Sequence, residues 1–248
     1  NNIEMVFNEP KVPYRETITK SAKAEYRHKK QSGGSGQFGE VHITIEPYFD
    51  DMPEPQGVNI RNKEIEELPW GGKFAFYWCI VGGAIDNRYA TAIKKGIMHE
   101  MTEGPLTGSN CQNIRVCIYD GKMHAVDSND ISFQLAASHA FRMAFNEAKP
   151  QLLEPYYHLE VLCEDNHTGD VMGDLQTRRA IIQGMDTDGH YQKIIAEVPL
   201  AELKDYGSSL RSLTQGKAKF KLEFSNYQLV PPHIQENLVI SNASLSEV

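Results

Sequence analysis

Polar and apolar residues alternate most clearly where Val41, Ile43 and Ile45 interleave with Glu40, His42 and Thr44. A period of two is that of a half-buried strand. The reading from Glu16 to Glu46 is strand, glycine tip, strand, followed by a loop around Pro47, Pro53 and Pro55 that Gly71-Gly72 closes. Phe74, Phe76 and Trp78 alternate in the same way before Gly82-Gly83. Helical spacing then takes over at Tyr89, Ile93, Ile97 and Met101, with Gly104-Pro105 as its stop. Ile114, Val116 and Ile118 alternate with Arg115 and Cys117 up to the turn pair Asp120-Gly121. A polar loop, Lys122 to Ser128, leads to a helix expected over Ile131–Ala148, where Ser128 or Asp130 can cap the free amides. Ile131, Leu135, Phe141 and Phe145 are its expected apolar positions, its alanines allow close packing, and Pro150 ends it.

A hinge is expected at Leu152-Leu153-Glu154-Pro155, because Tyr157, Leu159 and Val161 start a new alternation. A helix over Gly169–Gly184, strands around Tyr191–Val198, a helix over Leu200–Leu213 and a strand over Lys217–Phe224 complete a β-α-β-β-α-β order. That order is the ferredoxin-like split motif. From Leu229 onward the chain reads as a tail. At the front, Ile3, Met5, Val6 and Phe7 read as a leftover strand ahead of Pro10 and Pro13, as in a piece of something longer.

The 248 residues allow one large or two ordinary domains. No apolar run approaches the length of a membrane-spanning helix and no charged-then-apolar leader is present, so a cytoplasmic protein without a membrane partner is expected. Cys79, Cys111, Cys117 and Cys163 have no zinc or disulfide spacing and read as reduced core thiols. His99-Glu100 opens an H-E pair, but Glu103 stands where H-E-x-x-H needs histidine.

A net charge of −8 argues against a generic nucleic-acid or DNA binder, yet the charge is uneven. Lys11–Gln37 holds seven Lys or Arg against two Glu, whereas Glu46–Trp70 holds seven acids against Arg61 and Lys63. Such runs serve as solvated faces, or, in the basic case, suit a phosphate backbone. Between the two, Gly33, Gly34, Gly36 and Gly39 lie within one loop, and Gly34, Gly36 and Gly39 spell G-x-G-x-x-G. A dinucleotide site would need a helix after that loop; here a strand follows. The loop is either a mobile hairpin tip or a place where a partner approaches the main chain closely. Walker, hydrolase, kinase and metalloprotease signatures are missing, so no catalytic site is inferred. His124 is either structural or a binding residue, and Arg178 and Arg179 are either a polar helix face or forks for phosphate.

Several blocks in order resemble one family. They are Pro10–Ile18, Lys30–Gly39, Gly104-Pro105-Leu106-Thr107-Gly108, His124-Ala125-Val126-Asp127-Ser128, Leu135–Ser138, Leu152–Pro155, Thr168–Leu175 and Leu210–Gly216. Together, from about Pro10 to Tyr227, they resemble the C-terminal half of translation elongation factor G, the ribosomal translocase. The resemblance implies an α+β chain. Residues 1–12 would end a third domain and 13–152 would form a ribosomal-protein-type domain with a left-handed β-α-β crossover. Residues 153–230 would form the ferredoxin-like domain and 231–248 a tail.

It also implies a tip made of Ser32, Gly33, Gly34, Ser35, Gly36 and Gln37 with His124, Asp127 and Ser128, which enters the small-subunit decoding site and holds tRNA and mRNA. Asp174, Arg178 and Arg179 would face large-subunit RNA. The implied partners are the ribosome's RNA and proteins, tRNA and mRNA, met by a monomer. No cofactor is implied for this segment; GTP and Mg would belong to the parent's nucleotide domain. Ser35 in place of a basic residue, Asp86 in place of a proline and the acidic 50–70 stretch mark a divergent paralogue. Ribosome recycling and ribosomal protection are therefore alternative roles. Rivals of other classes are a small-molecule kinase on a related α/β fold and a regulatory domain binding protein through the acidic loop.

Overall fold

The structure, a computed structural model, describes residues 12–31 and 36–246. The apolar piece at Ile3–Phe7, and with it nearly all of the segment 1–12, lies outside the described residues, as do Ser32, Gly33, Gly34 and Ser35. The described residues form two compact bodies, one running from Arg15 to Leu152 and taking in 230–246, the other formed by Leu153–Leu229 with residues 12–14.

The first body contains, in order, β1 (Arg15–Ile18), β2 (Ala22–Lys30), β3 (Gln37–Pro47), β4 (Asn62–Glu67), β5 (Lys73–Trp78), α1 (Ala90–Thr102), β6 (Ile114–Lys122) and α2 (Asp130–Glu147). Five strands make one sheet in the order β2-β3-β6-β5-β4. Only the β5–β6 pair is parallel, and α1 makes the crossover between them. Val41, Ile43 and Ile45 meet Ile114, Val116 and Ile118 and the apolar faces of α1 and α2 in one core. Burial of this apolar surface is the main stabilising term. The two helices approach so closely that a Cβ on Gly96 would lie 2.2 Å from the Gln134 carbonyl oxygen.

Three local expectations change here. Asp120-Gly121 is not a turn: both residues pair within the β3–β6 ladder, with His42 and Val41, beside a register shift that leaves Tyr119 as the extra residue of β6. Glycine is needed at 121 because a Cβ would lie 2.2 Å from the Glu40 carbonyl and 2.5 Å from Ile85 Cδ1. The cap of α2 is Asn129, whose side chain accepts from the Ser132 amide. The inward stripe of α2 runs through Phe133, Phe141 and Phe145, leaving Ile131 60% and Leu135 38% exposed.

The acidic stretch is folded. Tyr48, Val58 and Ile60 pack on the sheet face opposite the helices, against Ala75, Tyr77, Cys79 and Cys117. Arg115, buried beneath them, donates to Glu46 Oε1 at 2.9 and 2.8 Å and to the Pro53 carbonyl at 2.8 Å. This second apolar layer explains why Phe74 to Trp78 is buried on both faces rather than on alternate residues.

The expected hinge at Leu152–Pro155 lies inside an uninterrupted strand, β7 (Pro150–Glu164), although the boundary between the bodies falls there. The second body continues with α3 (Thr168–Thr177), β8 (Ile181–Asp188), β9 (Tyr191–Pro199), α4 (Tyr206–Leu213) and β10 (Lys219–Leu229). The ladder order β8-β9-β7-β10, antiparallel throughout, is that of the ferredoxin-like split motif. The helix expected to reach Gly184 stops at Thr177, because Arg179 turns left-handed (φ 57°) and the β-branched pair Ile181-Ile182 enters β8. A left-handed Asp205 likewise delays α4 to Tyr206. In place of a tail, Pro232–Ser246 forms α5, which belongs to the first body.

Candidate functional site

The glycine loop and the His124 loop meet. β2 and β3 pair as far as Lys30 with Gln37, so the ends of the glycine loop are held together. Immediately beyond, the Phe38 amide donates to the Asp127 carbonyl (2.9 Å), and the Ser128 hydroxyl donates to the Phe38 carbonyl (2.9 Å). Gly36 lies against Asp127: a Cβ there would come 2.7 Å from the carboxyl carbon. Gln37 accepts from His28 Nε2 at 2.8 Å. Of the residues expected at the tip, the structure therefore joins Gly36, Gln37, His124, Asp127 and Ser128. Ser32, Gly33, Gly34 and Ser35 fall outside the described residues.

Ser128 is the connecting residue. Its hydroxyl also accepts the His124 amide (2.8 Å), and its carbonyl accepts from the Tyr89 hydroxyl (3.0 Å). Arg88 in turn donates to that hydroxyl at 2.7 Å and lies over the Tyr89 ring. Sequence reasoning missed Phe38, Arg88 and Tyr89 in this role. Nothing in their local pattern marks it: Phe38 and Tyr89 act on the 127–128 segment far along the chain, and Arg88 acts only through its neighbour Tyr89. The His124 side chain is 54% exposed, and Val126 beside it is 82% exposed. A surface of this kind, small polar groups with one imidazole, can follow a sugar-phosphate backbone without reading bases.

Just behind the tip, Glu40 is buried among Arg27, His42 and Lys122. Burial raises its pKa, but the bonds from Arg27 and His42 and the charges of Arg27 and Lys122 outweigh this and hold the carboxyl below its usual range. A second buried carboxylate, Glu16, accepts the amides of Leu106 (2.8 Å), Thr107 (2.7 Å) and Ser109 (3.0 Å) and the Thr107 hydroxyl (2.9 Å). Burial pushes this carboxyl up in spite of those bonds. The Gly104–Ser109 block thus serves β1 as a cage.

In the second body, Arg178 donates to Asp174 (2.8 Å), to the Glu202 carbonyl (2.7 Å) and to Ser209 (2.9 Å). Arg179 forks onto the fully buried Glu154 carboxylate (2.7 and 3.0 Å) and reaches Glu202 (2.8 Å). Both guanidinium groups are taken up by internal acceptors, so they shape the end of α3 rather than stand open for phosphate. Among the described residues no group of three or more His, Cys, Asp or Glu is arranged to hold a metal, and no helix is long and apolar enough to cross a membrane.

Comparison with known proteins divides the chain close to the same point, near residue 150. The profile described as elongation factor G, domain IV matches residues 10–63 and 60–149, and that described as elongation factor G C-terminus matches 151–238. The chain belongs to the elongation factor G family. An elongation factor G-like protein of Thermotoga maritima is 41% identical over 96% of this chain. Elongation factor G of Thermotoga neapolitana is also 41% identical over 96%. A crystal structure from Thermus thermophilus, 41% identical, superposes with a TM-score of 0.76 over 95% of the chain. The chain spans about a third of the length of these three proteins, 32% in each case. Both tip loops lie within the domain IV match, and Asp174, Arg178 and Arg179 within the C-terminal match.

Proposed function

We propose that this chain is the ribosome-entering, C-terminal part of a translational GTPase of the elongation factor G type. Its glycine and His124 loops enter the small-subunit decoding site and hold tRNA and mRNA while they move. Nucleotide chemistry, with GTP and Mg, belongs to the remainder of a full-length factor; this segment contributes a shaped probe that works in the cytoplasm. The observation that carries the reading is the joining of the flank of the glycine loop to the exposed His124 loop through Phe38, Asp127 and Ser128, which brings two distant stretches of sequence together. Main chain and small polar groups suit a partner whose sequence varies from codon to codon. The end of α3, shaped by Asp174, Arg178 and Arg179, is the proposed face toward large-subunit RNA.

Recycling or protection of ribosomes would use the same segment. A protein-binding role for the acidic stretch is weaker, because that stretch is pinned over the sheet by Arg115. Deleting Asp50 to Leu68 would strip β4 and half of an apolar layer, so it cannot test binding cleanly. In a full-length factor carrying this segment, replacing Gly34, Gly36 and His124 should slow tRNA movement in a single-round assay while GTP turnover stays nearly intact. Unchanged movement would count against the reading.

A further inference from the structure

The seating of the His124 ring says which of its edges is on offer. Two neighbouring backbone amides, of Val126 and Asp127, approach Nδ1 at 3.3 and 3.2 Å. An amide N–H only donates, so the nitrogen receiving both must present a lone pair. The proton of the neutral ring then sits on Nε2. The loop holds this arrangement from both sides: the His124 amide is bonded to Ser128 Oγ, and the Ser128 amide donates to the His124 carbonyl at 3.2 Å. The Phe38 ring packs against the imidazole with centroids 6.2 Å apart.

One competitor is present. Asp127 Oδ2 lies 3.3 Å from the same Nδ1, and a proton on that nitrogen would serve it. Such a proton would take the acceptor away from two amides to satisfy one carboxylate oxygen. The carboxyl group also lies against Gly36, where a Cβ would come 2.7 Å from its carbon. Nε2 makes no bond among the described residues, and the side chain is more than half exposed.

Resting on the reading of the tip as RNA-facing, we propose that His124 meets the nucleic acid as a neutral donor, its Nε2–H directed at an oxygen of the sugar-phosphate backbone, with the Val126 and Asp127 amides fixing the tautomer. A donor aimed at backbone oxygen gives contact without base preference, which is what a tip serving every codon requires.

Long-range proton–nitrogen correlation spectra of the 248-residue chain test the tautomer, with His124 assigned by the signals lost in His124→Gln. The expected pattern is a protonated Nε2 and a bare Nδ1, unchanged in Asp127→Asn, since amides rather than the carboxylate hold the ring. A proton on Nδ1, or a tautomer change in Asp127→Asn, overturns the proposal. In a full-length factor carrying this segment, His124→Gln keeps a donor near the Nε2 position, whereas His124→Asn moves it to the Nδ1 position. The Gln variant should move tRNA about tenfold faster than the Asn variant, the worth of one hydrogen bond to a charged acceptor. Equal rates or the reverse order overturn the donor assignment. If His124→Ala leaves movement unchanged, the RNA-facing reading and the donor role fall together, while the spectra still report the tautomer.

Discussion

Replacing Arg115 by Met would test whether the acidic segment is a folded layer or a free arm. The guanidinium makes two bonds to Glu46, one to the Pro53 carbonyl, and lies 5.4 Å from the centre of the Tyr77 ring. Methionine keeps the apolar contact with Tyr77 and loses all three bonds. A hydrogen bond to a charged group contributes about 1.5–3 kcal/mol, and breaking a fully buried pair costs about 3–5 kcal/mol. The Glu46 side chain is 23% exposed and recovers water once unpaired, which sets the cost nearer 2–3 kcal/mol. If only the segment over the sheet opens, that energy corresponds to a roughly 30- to 150-fold larger open population and equally faster cleavage within residues 49–60 by a dilute protease. If opening is coupled to the whole body, the urea midpoint falls instead. Cleavage and midpoint both equal to wild type within about 0.5 kcal/mol would refute the layer.

Two further changes probe the same body. Gly96→Ala sets a gain in helix propensity of about 1 kcal/mol against overpacking of about 1–3 kcal/mol where the Cβ meets the Gln134 carbonyl at 2.2 Å. The obstacle is backbone and cannot swing aside, so the variant should melt below wild type; a higher melting temperature would contradict the close α1–α2 contact. Glu40 has a folded-state pKa below its ordinary value of 4.5, so it binds protons less readily folded than unfolded. Its contribution is full above 4.5 and is lost as pH falls through the lower folded value. Glu40→Gln should accordingly flatten the acid limb of a stability–pH curve, and an unchanged limb would remove Glu40 from the account.

Much of the architecture was legible because it rests on local periodicity. Val41 to Ile45, Ile93 to Met101 and the β-α-β-β-α-β order of the second body needed no partner to be recognised. What escaped depends on residues far apart in the chain. Asp120-Gly121 spells a turn, but Val41 and His42 pair with it and Ile85 presses on the glycine. Ser128 could serve as a cap by type, yet Phe38, ninety residues away, claims its hydroxyl, and Asn129 caps the helix instead. Arg178 and Arg179 look like open forks until Glu154 and Glu202 fold against them. The meeting of the two tip loops was expected only from the family resemblance; the bonds through Phe38 give it a physical basis.

The most direct measurement is cross-linking from the tip. A short photoreactive probe on a cysteine at position 126, the most exposed of the large apolar side chains among the described residues at 82%, would be compared with one at Ile65, 48% exposed on the acidic strand. Both would be placed in a full-length factor stalled on ribosomes carrying tRNA and mRNA. The account predicts adducts from position 126 to decoding-site RNA, tRNA or mRNA and none of these from position 65. Equal labelling from both positions, or none from position 126 on a factor that is bound, would contradict it.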